Sequence, residues 1–112
     1  MRTSDNERYK VTSLLWFRND LRVHDNPALS NLLADKCESK KAIWFATPQQ
    51  WRLHHLADVK IDLIKRHVAY LSAQLADLGI ELEIRETAVF ASQIKDLIAY
   101  CHINQVETVY VN

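Results

Sequence analysis

With 112 residues, 48% of them hydrophobic, the chain suits one domain with a packed core. Its 14 basic and 14 acidic residues cancel. It therefore lacks the basic excess with which a domain binds nucleic acid by itself, and DNA binding by this chain alone is not expected. A single glycine rules out G-x-G-x-x-G and the P-loop, and no apolar run is long enough to span a membrane.

The polar start MRTSDNERYK, residues 1–10, is no signal peptide; it reads as a lead-in to a domain over residues 11–112 of a cytoplasmic protein. The first strand is expected at Val11 to Phe17. It runs into alternating charge. Arg18, Asp20 and Arg22 stand two residues apart, so an extended backbone would set them on one face as a self-paired ladder. Asp25-Asn26-Pro27 then opens a helix to about Lys36, with Asn26 as its N-cap and Pro27 where a missing N–H costs nothing. A second strand at Lys41 to Phe45 leads into a loop containing Pro48. Ile61, Ile64, Val68, Leu71, Leu75 and Leu78 step by three and four, which predicts a helix from about Val59 to Leu78, its apolar stripe widened by Leu63 and Tyr70. Gly79 suits the left-handed cap that ends it. A third strand at Ile80 to Arg85 precedes a helix from about Ser92 to Asn104, with Phe90, Ile94, Leu97, Ile98 and Cys101 facing inward. A fourth strand is expected at Glu107 to Val111.

This alternation gives the fold class α/β: a Rossmann-like open parallel sheet, β-α-β-α-β-α-β, with helices on both faces and right-handed crossovers. Asn112 follows the last strand directly and leaves a parallel edge bare, so the sheet is expected to be truncated after its fourth strand. Ligands of such sheets bind beyond the carboxyl ends of the strands. Three loops fall there, Arg18 to Asn26, Ala46 to Asp58 and Glu86 to Ala91, together with Asn112. Cys37 and Cys101 have no metal-type spacing and read as small core or surface thiols. His24, His67 and His102 have no partner constellation, and no Ser-His-Asp or Cys-His pattern is visible. The sequence thus offers no catalytic residue and no metal ligand.

The run LLWFRNDLRVHDNPAL resembles the amino-terminal motif of the DNA photolyase and cryptochrome family, W-F-R-x-D-L-R-x-x-D-N-x-A-L. Every fixed position matches: Trp16, Phe17, Arg18, Asp20, Leu21, Arg22, Asp25, Asn26, Ala28 and Leu29. Within that resemblance Arg18, Asp20, Arg22, Asp25 and Asn26 are expected to lock a turn and a domain interface. A catalytic role for these charges is the weaker reading. The second loop, ATPQQWRLHHL, resembles the T-P-x-Q-W followed by His of bacterial photolyases of the folate type, class I enzymes acting on cyclobutane pyrimidine dimers. The resemblance implies an antenna site for 5,10-methenyltetrahydrofolate, with His54 and Trp51 as its contacts and His55 as a neighbour with no assigned role. An indole and an imidazole both offer a flat face to a pterin, and the imidazole adds a hydrogen bond.

The family further implies a longer, monomeric parent in which a helical domain, absent here, binds FAD. Such enzymes flip a pyrimidine dimer out of DNA and split it by electron transfer from light-excited reduced flavin. This chain would then be the antenna-side domain of a deoxyribodipyrimidine photo-lyase and inactive alone. A cryptochrome photoreceptor of the same fold and a stand-alone α/β interaction module are the alternatives.

Overall fold

The structure, a computed structural model, describes residues 11–18 and 20–112, without the side chain of Phe90. The lead-in at residues 1–10 and the orientation of Phe90 lie outside that description. The described residues form four strands and four helices, two of the helices lying in succession between the second and third strands: β1 (Thr12–Phe17), α1 (Pro27–Ala34), β2 (Ser39–Ala46), α2 (Pro48–Leu53), α3 (Asp58–Asp77), β3 (Glu81–Glu86), α4 (Phe90–Ile103) and β4 (Val106–Tyr110). All strand pairings are parallel, in the order β3-β2-β1-β4. The α/β class and the four strands expected from the sequence are present.

Why the sheet sits at the centre follows from its strands. Every residue of β1 is buried, and Ala42 to Ala46 of β2 are buried without interruption. Such continuous apolar runs belong to parallel strands covered on both faces. Leu15, Phe17 and Trp44 pack under α1 and α3, through Leu29, Leu32, Val68, Leu71 and Leu75. Leu14, Trp16, Ile43 and Phe45 point the other way, under Leu97 and Tyr100 of α4. Each fully buried leucine or phenylalanine stabilises the fold by about 1.5–3 kcal/mol. The period of two in β1 thus separates a larger core on the α1/α3 face from a smaller one on the α4 face.

Several boundaries and faces differ from the sequence expectation. Residues 48–53, read as loop, form the short helix α2, entered through Pro48 at its first turn. On α3 the buried side chains are Val68, Leu71 and Leu75, whereas Leu63 and Tyr70 lie outside the stripe, each 64% exposed. Leu78 is also largely exposed, at the helix end. On α4, Leu97 is buried and Cys101 half-buried as expected, but Ile94 and Ile98 face outward. Gly79 does take the left-handed conformation, φ +77°, and ends α3.

A polar tie holds the far side of β1. The Asp35 carboxylate accepts from Ser13 Oγ (2.9 Å), Tyr110 OH (2.7 Å) and the Cys37 N–H (2.8 Å), joining β1, β4 and the end of α1. The Tyr110 and Ser13 hydroxyls hold the carboxyl below its ordinary pKa, and the bond to Asp35 raises that of Tyr110. A depressed carboxyl contributes stability above its unfolded pKa of about 3.9 and loses it as the pH falls through the folded value. Asp35→Asn is therefore expected to destabilise the fold at pH 7, with the gap to the native protein closing in strong acid. Urea melts between pH 2 and pH 7 measure this. A gap that stays constant with pH would show that the carboxylate charge plays no part.

Candidate functional site

Strand order reverses between β1 and β4, and α/β folds commonly bind ligands at that reversal. Here it is filled by the protein itself. The Asn112 side chain leaves β4 and reaches over the start of α1. Its Nδ2 donates to Asp20 Oδ2 and to Asn26 Oδ1 (2.7 Å), and its Oδ1 accepts from the Ala28 N–H (2.9 Å). Asn26 is the N-cap expected from the sequence: its Oδ1 accepts the Leu29 N–H at 3.0 Å, and its Nδ2 donates to the Arg22 carbonyl at 2.9 Å.

The charged turn before this cap is not a ladder. The chain bends at Arg18 immediately after the strand, so the alternation of an extended backbone ends there. Arg18 lies over the Trp16 ring, 5.3 Å from its centre. Arg22 spends its guanidinium on the carbonyls of His24 (3.0 Å) and Asp25 (3.1 Å), while its N–H closes a turn on the Asp20 carbonyl (2.8 Å). Asp25 sits at φ +50°, a left-handed position that aspartate tolerates better than most residues. Among the described residues no ion pair joins Arg18, Asp20 and Arg22. Asp20 and Asn26 are brought together through Asn112, and Arg22 is tied to Asn26 through its carbonyl.

With the reversal closed, the open space at the carboxyl edge lies one strand over, above β1 and β2. A cleft of about 440 Å³ is walled by Phe17, Leu21, Trp44, Trp51 and Ile64, with Arg18, Thr47 and Gln93 supplying polar groups. α2 places Trp51 against Trp44, ring centres 6.4 Å apart and planes 29° from parallel. Gln93, in the first turn of α4, is buried yet makes no side-chain hydrogen bond to another described residue. The walls fit a planar ring: flat aromatic surface, plus an amide able to donate and accept. His54, three residues after Trp51, caps the end of α2, exposed to solvent and outside the cleft lining. Its Nε2 lies 2.8 Å from Gln50 Nε2, within hydrogen-bond distance of the amide. The structure thus puts Trp51 in the cleft wall and His54 outside it, at the exposed end of the same short helix, with His55 exposed next to it.

Sequence reasoning missed Trp44, Ile64 and Gln93 as cleft residues. Trp44 and Ile64 read as ordinary strand and helix core, and an amide in a first helical turn carries no distinguishing pattern. Among the described residues, no cluster of three histidine, cysteine or acidic side chains could hold a metal ion, and no helix is long and apolar enough to cross a membrane.

The model of the DNA photolyase family matches residues 13–112. The chain belongs to the DNA photolyase family. It is 34% identical over 100 residues to the deoxyribodipyrimidine photo-lyase of Buchnera aphidicola subsp. Baizongia pistaciae, covering 89% of this chain and 21% of that protein. It is 47% identical over 62 residues to the Vibrio cholerae enzyme of the same name, covering 55% of this chain and 13% of the relative. With the Escherichia coli photo-lyase it shares 37% identity over 65 residues, 58% of this chain and 14% of the relative. The chain spans about a fifth of the length of the Buchnera relative, so it corresponds to one part of a photolyase.

The Asn26–Asn112 contact sets the shape of the photolyase edge and can be measured. Asn26→Ala is expected to cost about 1–2 kcal/mol, since it removes a helix cap and strands buried partners. Combined with Asn112→Ala in a double-mutant cycle by chemical denaturation, the pair should show a coupling of about 0.5–3 kcal/mol. Strict additivity would mean that the two side chains act independently.

Proposed function

We propose that this chain is the antenna-side α/β domain of a cytoplasmic deoxyribodipyrimidine photo-lyase, a light-driven DNA repair enzyme whose FAD and DNA contacts lie in other parts of the polypeptide. The reading rests on one observation above the others. The loop that carries the folate-type sequence TPQQW also supplies Trp51, the ring that closes an aromatic cleft at the ligand edge of the sheet. The relatives named above as photo-lyases support it. Zero net charge agrees with DNA being held elsewhere.

In this reading the bound 5,10-methenyltetrahydrofolate absorbs near-ultraviolet and blue light and passes the energy on to the flavin. What this chain contributes is placement. Trp51 offers a face for stacking, and Trp44 behind it keeps that face from tilting. His54 offers a ring N–H from an exposed helix end, where a second domain can close over it. Gln50 fixes the imidazole through its Nε2. Asp20, Arg22, Asp25 and Asn26 hold the turn beneath, and in the whole protein this turn would face the neighbouring domain. The chain alone carries no repair activity.

Two experiments test this reading. The intact protein, loaded with reduced flavin, should repair a thymine-dimer duplex under blue light and not in the dark; a flavin-loaded protein without repair would move the assignment to a cryptochrome photoreceptor. Separately, His54→Ala should weaken methenyltetrahydrofolate retention by the intact protein by about 10-fold, the range of one hydrogen bond at a ligand. Equal affinity in equilibrium dialysis would remove His54 from the site.

A further inference from the structure

At the carboxyl edge of the sheet, Asn26, Thr47, Thr87 and Gln93 are polar residues buried among the described residues. Two of them are satisfied within the chain. Asn26 caps α1 and bonds Asn112. Thr87 Oγ1 lies 2.6 Å from Ser92 Oγ and donates to Asp96 Oδ2 at 2.5 Å. The other two are left without partners among the described residues. Thr47 is 2% exposed and stands at the N-cap of α2, where a hydroxyl ordinarily takes a helix N–H, yet its side chain makes no cap bond. Gln93 is 7% exposed, and its amide is equally unpaired.

Both of these groups line one cavity, the aromatic cleft of about 440 Å³. They reach it from different elements, Thr47 from the end of β2 and Gln93 from the first turn of α4. A buried polar group without a partner destabilises a fold, so few persist without a reason. Two such groups share this cleft while their neighbours on the same edge are paired. That contrast points to a partner that enters the cleft. Its chemistry follows from theirs. The carboxamide presents a donor and an acceptor side by side in one plane. Its complement is a ring edge with an acceptor beside a donor, as in a cyclic amide, where a carbonyl adjoins an N–H. Glutamine reads the edge of adenine by the same two-bond geometry. The hydroxyl can donate or accept as the ring requires. Both buried groups are neutral, so the end they form suits an uncharged ring edge rather than a phosphate or carboxylate. Phe17, Trp44 and Trp51 supply the flat walls between which such a ring lies.

We propose that Thr47 and Gln93 are the specificity-determining pair of the cleft: they read the cyclic-amide edge of a fused heteroaromatic ring, Gln93 by two in-plane hydrogen bonds and Thr47 by a third. The ligand is that of the antenna reading above, on which this rests. Its pterin carries such an edge, and the isoalloxazine of a flavin carries the same edge on a larger ring.

Equilibrium dialysis of the intact, FAD-loaded protein against methenyltetrahydrofolate, and separately against riboflavin, tests this together with thermal melts. Gln93→Leu and Thr47→Val remove the polar atoms and keep the approximate volume. Each is expected to weaken folate binding by about 10-fold. Each should also leave the melting temperature of the folate-free protein unchanged or higher, because it removes an unpaired buried group. Weaker binding without lost stability distinguishes a ligand contact from a structural one. Unchanged folate affinity in Gln93→Leu overturns the inference and leaves the antenna assignment standing. A lower melting temperature of folate-free Gln93→Leu also overturns it, since the amide would then serve the fold. If the native protein retains riboflavin but no folate, and Gln93→Leu weakens riboflavin by the same factor, the edge reading holds and the folate assignment falls. Retention of neither ring overturns both.

Discussion

One amide, Asn112, fixes the edge on which this domain works. It takes hold of the first turn of α1 by an N–H, of the cap Asn26 by its oxygen, and of the turn residue Asp20 by its carboxylate. These groups come from opposite ends of the described chain. Their contact binds the last strand to the first helix at the one place where the strand order leaves a natural gap. Filling that gap from within costs the domain the usual crevice of an α/β sheet. The opening that remains is one strand away, over β1 and β2, where the short helix α2 can reach across it.

That displacement explains the chemistry of the walls. At the reversal the available groups are Asp20, Asn26 and backbone N–H of a helix start, all mutually satisfied. Over β1 and β2 the available groups are the upward ends of two buried strands, Phe17 and Trp44, which are apolar because the strands are covered on both faces. A site built there is a flat, aromatic slot with a few polar atoms at its rim. A charged phosphate cradle would need glycine-rich backbone, and the sequence has a single glycine, spent on ending α3.

Much of the scaffold was legible because local signals and global demands agree. The buried strand, Asn26 and Pro27 at a helix start, and Gly79 at a helix end each follow from short-range physics, and the fold leaves them in place. The failures arise where a tertiary choice decides. Alternating charge at Arg18, Asp20 and Arg22 means a ladder only if the backbone stays extended. It bends at Arg18, and Arg22 finds carbonyls closer than carboxylates. Helical spacing revealed α3 and α4 but not how wide a stripe each buries. Leu63, Tyr70, Ile94 and Ile98 obey the period and still face outward, because one helix on a sheet buries a narrow strip. α2 is too short for periodicity to register, although Pro48 at its first turn was a signal. Gln93 could not be found at all: its significance lies in what surrounds it in space.

The two layers of the sheet are unequal, and the inequality has a consistent sign. Under α1 and α3 the core is continuous and its polar neighbours are paired, as in the tie among Ser13, Asp35 and Tyr110. Under α4 the core is smaller, and it contains Trp16 Nε1 and Tyr100 OH, fully buried side-chain groups with no hydrogen-bond partner among the described residues. Burial also raises the pKa of the Tyr100 hydroxyl, and the Arg85 guanidinium lies over its ring. Unpaired buried donors are costly in a finished interior. Their concentration beneath a helix whose own flank exposes Ile94 and Ile98 marks this layer as the one that gains most from further covering. The α1/α3 layer, already closed, is the rigid base on which the aromatic cleft stands.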